Sequence, residues 1–445
     1  MKRILLLLLA MTGTAWAEGV QAGDTAWMLT STALVLLMTP ALAFFYGGLV
    51  HQRNVLNTMM MSLASLGVVG VLWVVFGYSI AFAGDHQLLG DSSFFFLKGV
   101  GLEAKGKIPH LLFMGFQGSF AVITAALISG AVIGRMSFKA YLLFIACWSL
   151  LVYAPMAHWV WGGGWLASLG ALDFAGGTVV HINAGIAALV ATMTLGPREE
   201  HGRRALLPHN VPFVLLGTAL LWFGWFGFNA GSALEANSLA ALAFINTMVS
   251  PMAALVTWML IDLYRSGKVT AVGAATSVVV GLVAITPAAG FVSPMSAILI
   301  GVLATFPSYG ALSIRPRTRL DDSLDVFAGH GLGGISGAIL TGVFASSTFG
   351  PPGALEGQAK LLGIQMVAVL AAILFSALGT WLILKGISLI MPLRASNKDE
   401  RLGLDITAHG EEAYVTGEGA ILMLSKSLPK AVRKKVENGD IRSAS

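Results

Sequence analysis

The sequence predicts an all-α integral membrane protein with eleven transmembrane helices, and three observations carry that reading. Of its 445 residues 56% are hydrophobic and 11% charged, whereas soluble domains carry about 25% charged residues. Eleven apolar stretches follow one another along the chain, each near the length of about 20 residues that crosses a bilayer. Basic residues gather in alternate loops between them, as the preference of Lys and Arg for the cytoplasmic side dictates.

The chain opens on the pattern of a secretory signal peptide. Lys2 and Arg3 supply the positive region, Ile4 to Ala10 the apolar core, and Ala15-Trp16-Ala17 the small-x-small cleavage site. Residues 1–17 are therefore expected to be removed, leaving a mature chain that starts near Glu18 outside the cytoplasm. The apolar stretches then run roughly over 25–49, 56–83, 110–134, 139–158, 173–196, 211–231, 238–264, 269–286, 293–312, 326–349 and 361–391. Alternate loops contain Arg53; Arg135 and Lys139; Arg198, Arg203 and Arg204; Arg265 and Lys268; and Arg315, Arg317 and Arg319. The intervening loops hold few basic residues apart from Lys98, Lys105 and Lys107 in one long loop, and Lys360 at a boundary. This places the N-terminus outside and the C-terminus inside, in agreement with the signal peptide. Residues 18–393 form the membrane domain. Residues 394–445 are polar and read as a cytoplasmic tail, too short for a catalytic domain.

Several function classes fall away on composition and motifs. The net charge of +5 follows the cytoplasmic loops instead of forming the basic patch with interleaved aromatics that nucleic-acid binding needs. The single cysteine, Cys147, excludes an intrachain disulfide. No P-loop, nucleophile elbow or His-Glu-x-x-His occurs. The 53 glycines show no collagen-like period and suit close helix–helix approach in a bilayer.

Ionisable residues inside a membrane are costly, and they are functional candidates by default. Of nine histidines seven fall in loops, at the ends of the apolar stretches or in the tail, and only His181 and His330 lie inside a stretch. They head matching segments, His181-Ile-Asn-Ala-Gly-Ile-Ala-Ala and His330-Gly-Leu-Gly-Gly-Ile-Ser-Gly. Helices five apart run in opposite directions, so a true repeat would be inverted, with a site at its interface near the midplane. Chance similarity between Gly-rich helices is the alternative. A lone histidine bonded to a backbone carbonyl is the bland account of either residue. A metal site would want further His, Cys or carboxylate ligands, and no such cluster is visible. Neither a metal nor a cofactor is expected.

Asp173 precedes His181 by eight residues and reads as a cap for the free N–H groups of the fifth helix, with cation attraction as a by-product. Placed on that helix, it would sit about 12 Å along the axis from His181. Trp159 and Trp165 suit an outer aromatic belt. Trp161, followed by three glycines, either joins that belt or turns inward, where an indole face attracts a cation by about 2 kcal/mol when desolvated.

The run Asp173-Phe-Ala-Gly-Gly-Thr-Val-Val-His181-Ile-Asn-Ala-Gly resembles the hallmark segment of the ammonium transporter (Amt/Mep/Rh) family, on its microbial Amt side. The resemblance extends from about Trp27 to Tyr414. Further landmarks are Phe45-Tyr-Gly-Gly-Leu, Phe116-Gln-Gly-Ser-Phe, Trp161-Gly-Gly-Gly, Gly224-Trp-Phe-Gly-Phe-Asn-Ala-Gly-Ser, Asp325-Val-Phe-x-x-His-Gly and Gly403-Leu-Asp-x-x-x-His-Gly-Glu. It implies two inverted five-helix pseudo-repeats plus a C-terminal helix, one pore per subunit and a homotrimer in a bacterial inner membrane. Phe120, Trp161 and Ser232 would then recruit ammonium, with Asp173 shaping that site. Phe120 and Phe228 would form a gate, and His181 and His330 the paired pore histidines, with Trp225, Thr286 and Thr276 along the pore. Thr276 stands where the family often has serine, and Leu324 lacks the small or thiol side chain common before the tenth helix. The tail segment Gly403 to Tyr414 is where family members engage a PII-type signalling protein. The basic extension beyond it, Lys426 to Lys435, reads as a segment held near anionic lipid.

Moving a bare cation into a low-dielectric pore costs tens of kcal/mol in the Born limit, far more than a cation–π contact returns. The expected route is thus recruitment of ammonium, deprotonation near the gate and conduction of ammonia past the histidines, with the proton relayed separately. An ammonium sensor that signals through its tail with little flux is the alternative.

Overall fold

The computed structural model describes residues 19–202 and 207–414. The expected signal peptide, Arg203 and Arg204 of one basic loop, and the basic extension after Tyr414 lie outside the described residues. Eleven apolar helices are present: α1 Ala22–Leu49, α2 Gln52–Phe82, α3 His110–Val132, α4 Phe138–Leu169, α5 Gly177–Leu195, α6 Val211–Gly231, α7 Ser238–Ser266, α8 Ala271–Ile285, α9 Pro294–Arg317, α10 Phe327–Phe344 and α11 Ala359–Ser388. Ten of them are long and apolar enough to cross a membrane, and α8 is shorter. The one sheet among the described residues is a hairpin in the loop before α3, β1 Ala104–Lys105 paired antiparallel with β2 Ile108–Pro109.

Helix ends follow local chemistry. The Asn210 side chain accepts the Phe213 N–H at 3.0 Å to start α6, and Asn237 accepts that of Ala240 at 3.0 Å to start α7. Gly267, at φ +71°, closes α7. Three ends differ from the apolar pattern. The fourth stretch, expected to stop near 158, continues helically to Trp161, breaks over Gly162–Gly164 and resumes at Trp165. The fifth, expected from 173, starts at Gly177. The tenth, expected to reach 349, stops at Phe344, whereas the eighth stops at Ile285, within a residue of its expected end, because Pro287 cannot continue the hydrogen-bond ladder. Beyond it the chain turns while still buried, and the Asn246 amide donates to the carbonyls of Ala289 and Val292, each at 2.8 Å. Irregular backbone at membrane depth survives where protein satisfies it in this way.

The helices that carry the two in-span histidines begin alike. α5 opens with a widened π-type turn, Gly177–Ile182, and α10 with another, Phe327–Leu332, each enclosing its histidine. Such turns interrupt the regular ladder and recur at functional sites. α1 and α6, the first helices of each half, pack along one another, with Gly217 and Gly224 of α6 against Phe45 and Met38 of α1. Outward-facing Leu29, Val71, Leu151, Phe223, Leu260 and Leu374 clothe the bundle in apolar side chains, which lipid tolerates and water does not.

At the end where the basic loops gather, Arg135 is wholly buried and faces Asp321 at 3.7 Å, which also holds Arg198 at 2.7 Å. Part of the tail is ordered there. Arg394 pairs with Glu400, Leu404 N–H donates to the Asn54 side chain at 2.9 Å, and Asp405 accepts the N–H groups of Leu56 and Asn57 at the start of α2, at 3.0 and 2.7 Å.

Candidate functional site: an aromatic vestibule above coupled histidines

The two in-span histidines meet because their helices touch at glycines. A Cβ on Gly185 would lie 2.3 Å from the Gly331 nitrogen, so only glycine lets α5 and α10 cross this closely. His181 Nδ1 and His330 Nδ1 then lie 3.2 Å apart, with ring centroids separated by 5.2 Å. In such a pair one nitrogen donates and the other accepts. Both rings are buried, and His181 Nε2 has no partner among the described residues.

Three cavities line up along this axis. The outer one is lined by Phe82, Phe113, Gln117, Phe120, Val160, Trp161, Phe174, Ser232 and Leu234. Aromatic faces and neutral polar groups make up its wall, and no charged side chain lines it. Trp161 turns inward because its indole N–H donates to the Asp173 carbonyl at 2.9 Å, and its ring sits 5.9 Å from that of Phe120. The Ser232 hydroxyl donates to the Phe228 carbonyl at 2.8 Å, which leaves its lone pairs to accept from a ligand.

Phe120 closes the floor by stacking on Phe228, centroid to centroid 4.2 Å. Beneath them a narrow space is lined by His181, His330, Trp225, Phe228 and aliphatic residues including Leu42, Ile123 and Val180. His181 stacks with Trp225 at 5.3 Å and with Phe228 at 5.9 Å. The Trp225 N–H donates to Thr286 Oγ1 at 3.0 Å, and that hydroxyl donates to the Leu282 carbonyl at 2.8 Å. His330 also borders an inner cavity, with Thr276, Leu324, Asp325 and Arg315 at its wall.

Asp173 holds the approach in shape. Its carboxylate accepts four N–H groups, those of Gly176, Gly177, Thr178 and Val179, at 2.6–3.0 Å. Gly176, at φ +112°, makes the bend that aims them. Asp173 thus lies on the strand-like approach, not on α5 itself, and the helical 12 Å offset from His181 does not apply. The physical reason is that a single carboxylate has taken over the N–H groups of the first turn.

Residues 26–414 match the model of the Ammonium Transporter Family. The chain belongs to the ammonium transporter family. Ammonium transporters of Bacillus subtilis and Aquifex aeolicus are 48% and 49% identical to it, over 89% and 92% of this chain and 99% and 98% of theirs. Among solved structures, Mep2 of Saccharomyces cerevisiae is similar with a TM-score of 0.81 at 33% identity, covering 91% of each chain. A structure described as a Sensor Amt Protein is similar with a TM-score of 0.82 at 28% identity, over 87% of this chain and 98% of the other. This family member is accordingly a multi-pass membrane protein of ammonium transport and not an enzyme.

Within that family framework, Phe120, Trp161 and Ser232 share the outer cavity, and Phe228, Trp225, His181 and His330 the central one. Thr276 borders the inner one. Asp173 and Thr286 line none of the three and act through Trp161 and Trp225. Trp159 stays outside the cavity wall, its N–H donating to the Leu88 carbonyl and its ring packing on Phe375. Sequence reasoning missed Phe113 and Gln117, although Phe113, Gln117 and Phe120 repeat at i, i+4 and i+7 on one face of α3. It also missed Asp322, which accepts the Phe327 N–H at 2.7 Å. Asp322 precedes His330 by eight residues, as Asp173 precedes His181. That equal spacing was the available signal.

Proposed function

We propose that the protein recruits ammonium in the outer cavity, deprotonates it near the Phe120–Phe228 pair and conducts ammonia past His181 and His330, with the proton relayed separately. The observation that carries this reading is the coupled histidine pair directly beneath a stacked aromatic floor. Trp161 and Phe120 offer ring faces to a cation, worth about 2 kcal/mol when desolvated, and Ser232 offers an acceptor. Below the floor the wall is apolar except for imidazole nitrogens. A bare cation there would forfeit hydration worth tens of kcal/mol, whereas neutral ammonia would forfeit far less. The two Nδ1 atoms share one hydrogen bond, so a full second proton on both rings would turn it into a repulsive contact. The pair therefore suits a single mobile proton, taken from one side and released to the other. Potassium, with no proton to give up, would be refused.

We further infer a homotrimer in a bacterial inner membrane, with the mature N-terminus periplasmic after removal of residues 1–17 and the tail cytoplasmic. The docked segment Arg394–Tyr414 offers a surface for a PII-type protein. The test is the current in a supported membrane carrying purified protein. Ammonium should evoke a current that potassium does not, and His181→Ala/His330→Ala should abolish it or make it unselective. Ammonia flux without any current would overturn the charge-coupled route.

The likeness to a Sensor Amt Protein favours a second reading, ammonium sensing through the tail with little flux. Growth of cells lacking other ammonium uptake, rescued by this chain, would exclude it.

A further inference from the structure

The outer cavity has a neutral wall, yet a cation is built against one side of it. Of three lysines in the loop before α3, Lys107 pairs with Glu235 at 2.8 Å. Lys105 makes no ion pair among the described residues. Its ammonium instead lies 5.1 Å from the ring centre of Phe113 and 5.9 Å from that of Phe94. Phe113 is itself part of the outer-cavity wall, and Phe82, another wall residue, packs edge-on against it at 5.2 Å. Half-burial drives the Lys105 ammonium below the ordinary lysine value, as expected for a cation stripped of part of its water.

This placement is not that of a free surface lysine. Lys105 sits in β1 of the hairpin, whose base is tied down by Glu103. The Glu103 carboxylate accepts the Gly101 N–H at 2.9 Å and bonds His110 Nδ1 at 3.0 Å, and His110 Nε2 bonds the Tyr78 hydroxyl at 2.6 Å. Tyr78 stacks at 5.7 Å on Phe94, one of the two rings that Lys105 covers. The hairpin and the aromatic cluster beneath it are thus one locked unit, with the ammonium held over it.

We propose that Lys105 is a tethered primary ammonium that competes with the substrate cation at the mouth of the outer cavity and sets the affinity for recruitment. A lysine ammonium is chemically a substituted form of the ion to be recruited. Over Phe113 and Phe94 it occupies ring faces that would otherwise hold an entering cation. Its charge also raises the potential in a cavity that has no charged wall residue to offset it. Both effects weaken binding of small monovalent cations, and neither alters the path below the Phe120–Phe228 floor. The inference rests on the recruitment step of the proposed function.

The test is the half-saturating ammonium concentration of the current in reconstituted membranes, at low ionic strength and at 0.5 M of an impermeant salt. Lys105→Gln should lower it about 2- to 10-fold at low ionic strength, with the difference shrinking at high salt and the maximal current unchanged. Lys105→Arg, which keeps the charge and the ring contact, should stay within about twofold of wild type. An unchanged value in Lys105→Gln would overturn the proposal. So would Lys105→Arg behaving as Lys105→Gln does, since packing alone would then account for both. A wild-type current that does not saturate, or one that Trp161→Leu leaves unaltered, would instead overturn the recruitment reading beneath it.

Discussion

At the scale of single residues, Asp173 carries the heaviest structural load near the site. Four N–H groups converge on one buried carboxylate, and its own carbonyl anchors Trp161. Asp173→Ala strands those donors in a dry environment, at a cost of about 3 kcal/mol. Asp173→Asn keeps one acceptor oxygen and should lose less. Thermal unfolding in detergent, read beside ammonium uptake, should rank wild type above Asn and Asn above Ala in both. Equal stability of the two variants would show that the charge alone matters. The role of this residue was partly legible in the sequence, because an acid just ahead of an apolar run reads as a cap. Its exact position was not legible, since hydropathy cannot tell a helix's first turn from an extended stretch folded around a carboxylate.

At the scale of elements, the crossing of α5 and α10 depends on Gly185 facing Gly331. Gly185→Ala places a methyl where there is backbone, so the helices must part by about an ångström or more to restore ordinary contact. Overpacking of this kind costs about 1–3 kcal/mol. Parting the helices also lengthens the 3.2 Å contact between the histidines. Reconstituted Gly185→Ala should therefore lose most of its ammonium current while it still elutes as folded protein. Retained current would mean that the histidine contact tolerates separation. Helix existence was plain in the sequence because each span is a long apolar run. Helix ends were less so: α10 stops at Phe344, short of its expected end, and α4 breaks at three glycines inside a run that stays apolar. His181 and His330 stood out as polar residues in such runs. Phe113 and Gln117 did not, since an aromatic or amide on one face of a helix is ordinary packing until the cavity beside it is seen. Lys105 read as a loop lysine for the same reason.

At the scale of the whole molecule, the helix ends beside the basic loops are tied together by charge. Burial pushes the Asp321 carboxyl up, but the hydrogen bonds and charge of Arg198, with the charge of Arg135, hold it well below the usual carboxylate range. A carboxyl depressed in this way stabilises the fold above its unfolded value, near 3.9, and that stabilisation fades as pH falls through the lower folded value. The unfolding midpoint of wild type in detergent should thus hold steady from neutral pH to about pH 4, so far as this group is concerned, and decline below that. Asp321→Asn should be less stable by about 3 kcal/mol at neutral pH, because Arg135 loses its buried counter-charge, and should lack this part of the acid decline. An identical decline in both would assign it to other carboxylates.

The series of cavities also has an electrical meaning. Where aqueous space reaches into a protein from both faces, the membrane potential falls mainly across the dry part between them. On the proposed route that part would be the stretch from the Phe120–Phe228 stack to His330. A proton handed along that short distance would sense nearly the full voltage, about 2.3 kcal/mol for each 100 mV, while an ammonia molecule beside it would sense none. The voltage of the cell would then act on one of the two particles and leave the other to follow its own gradient.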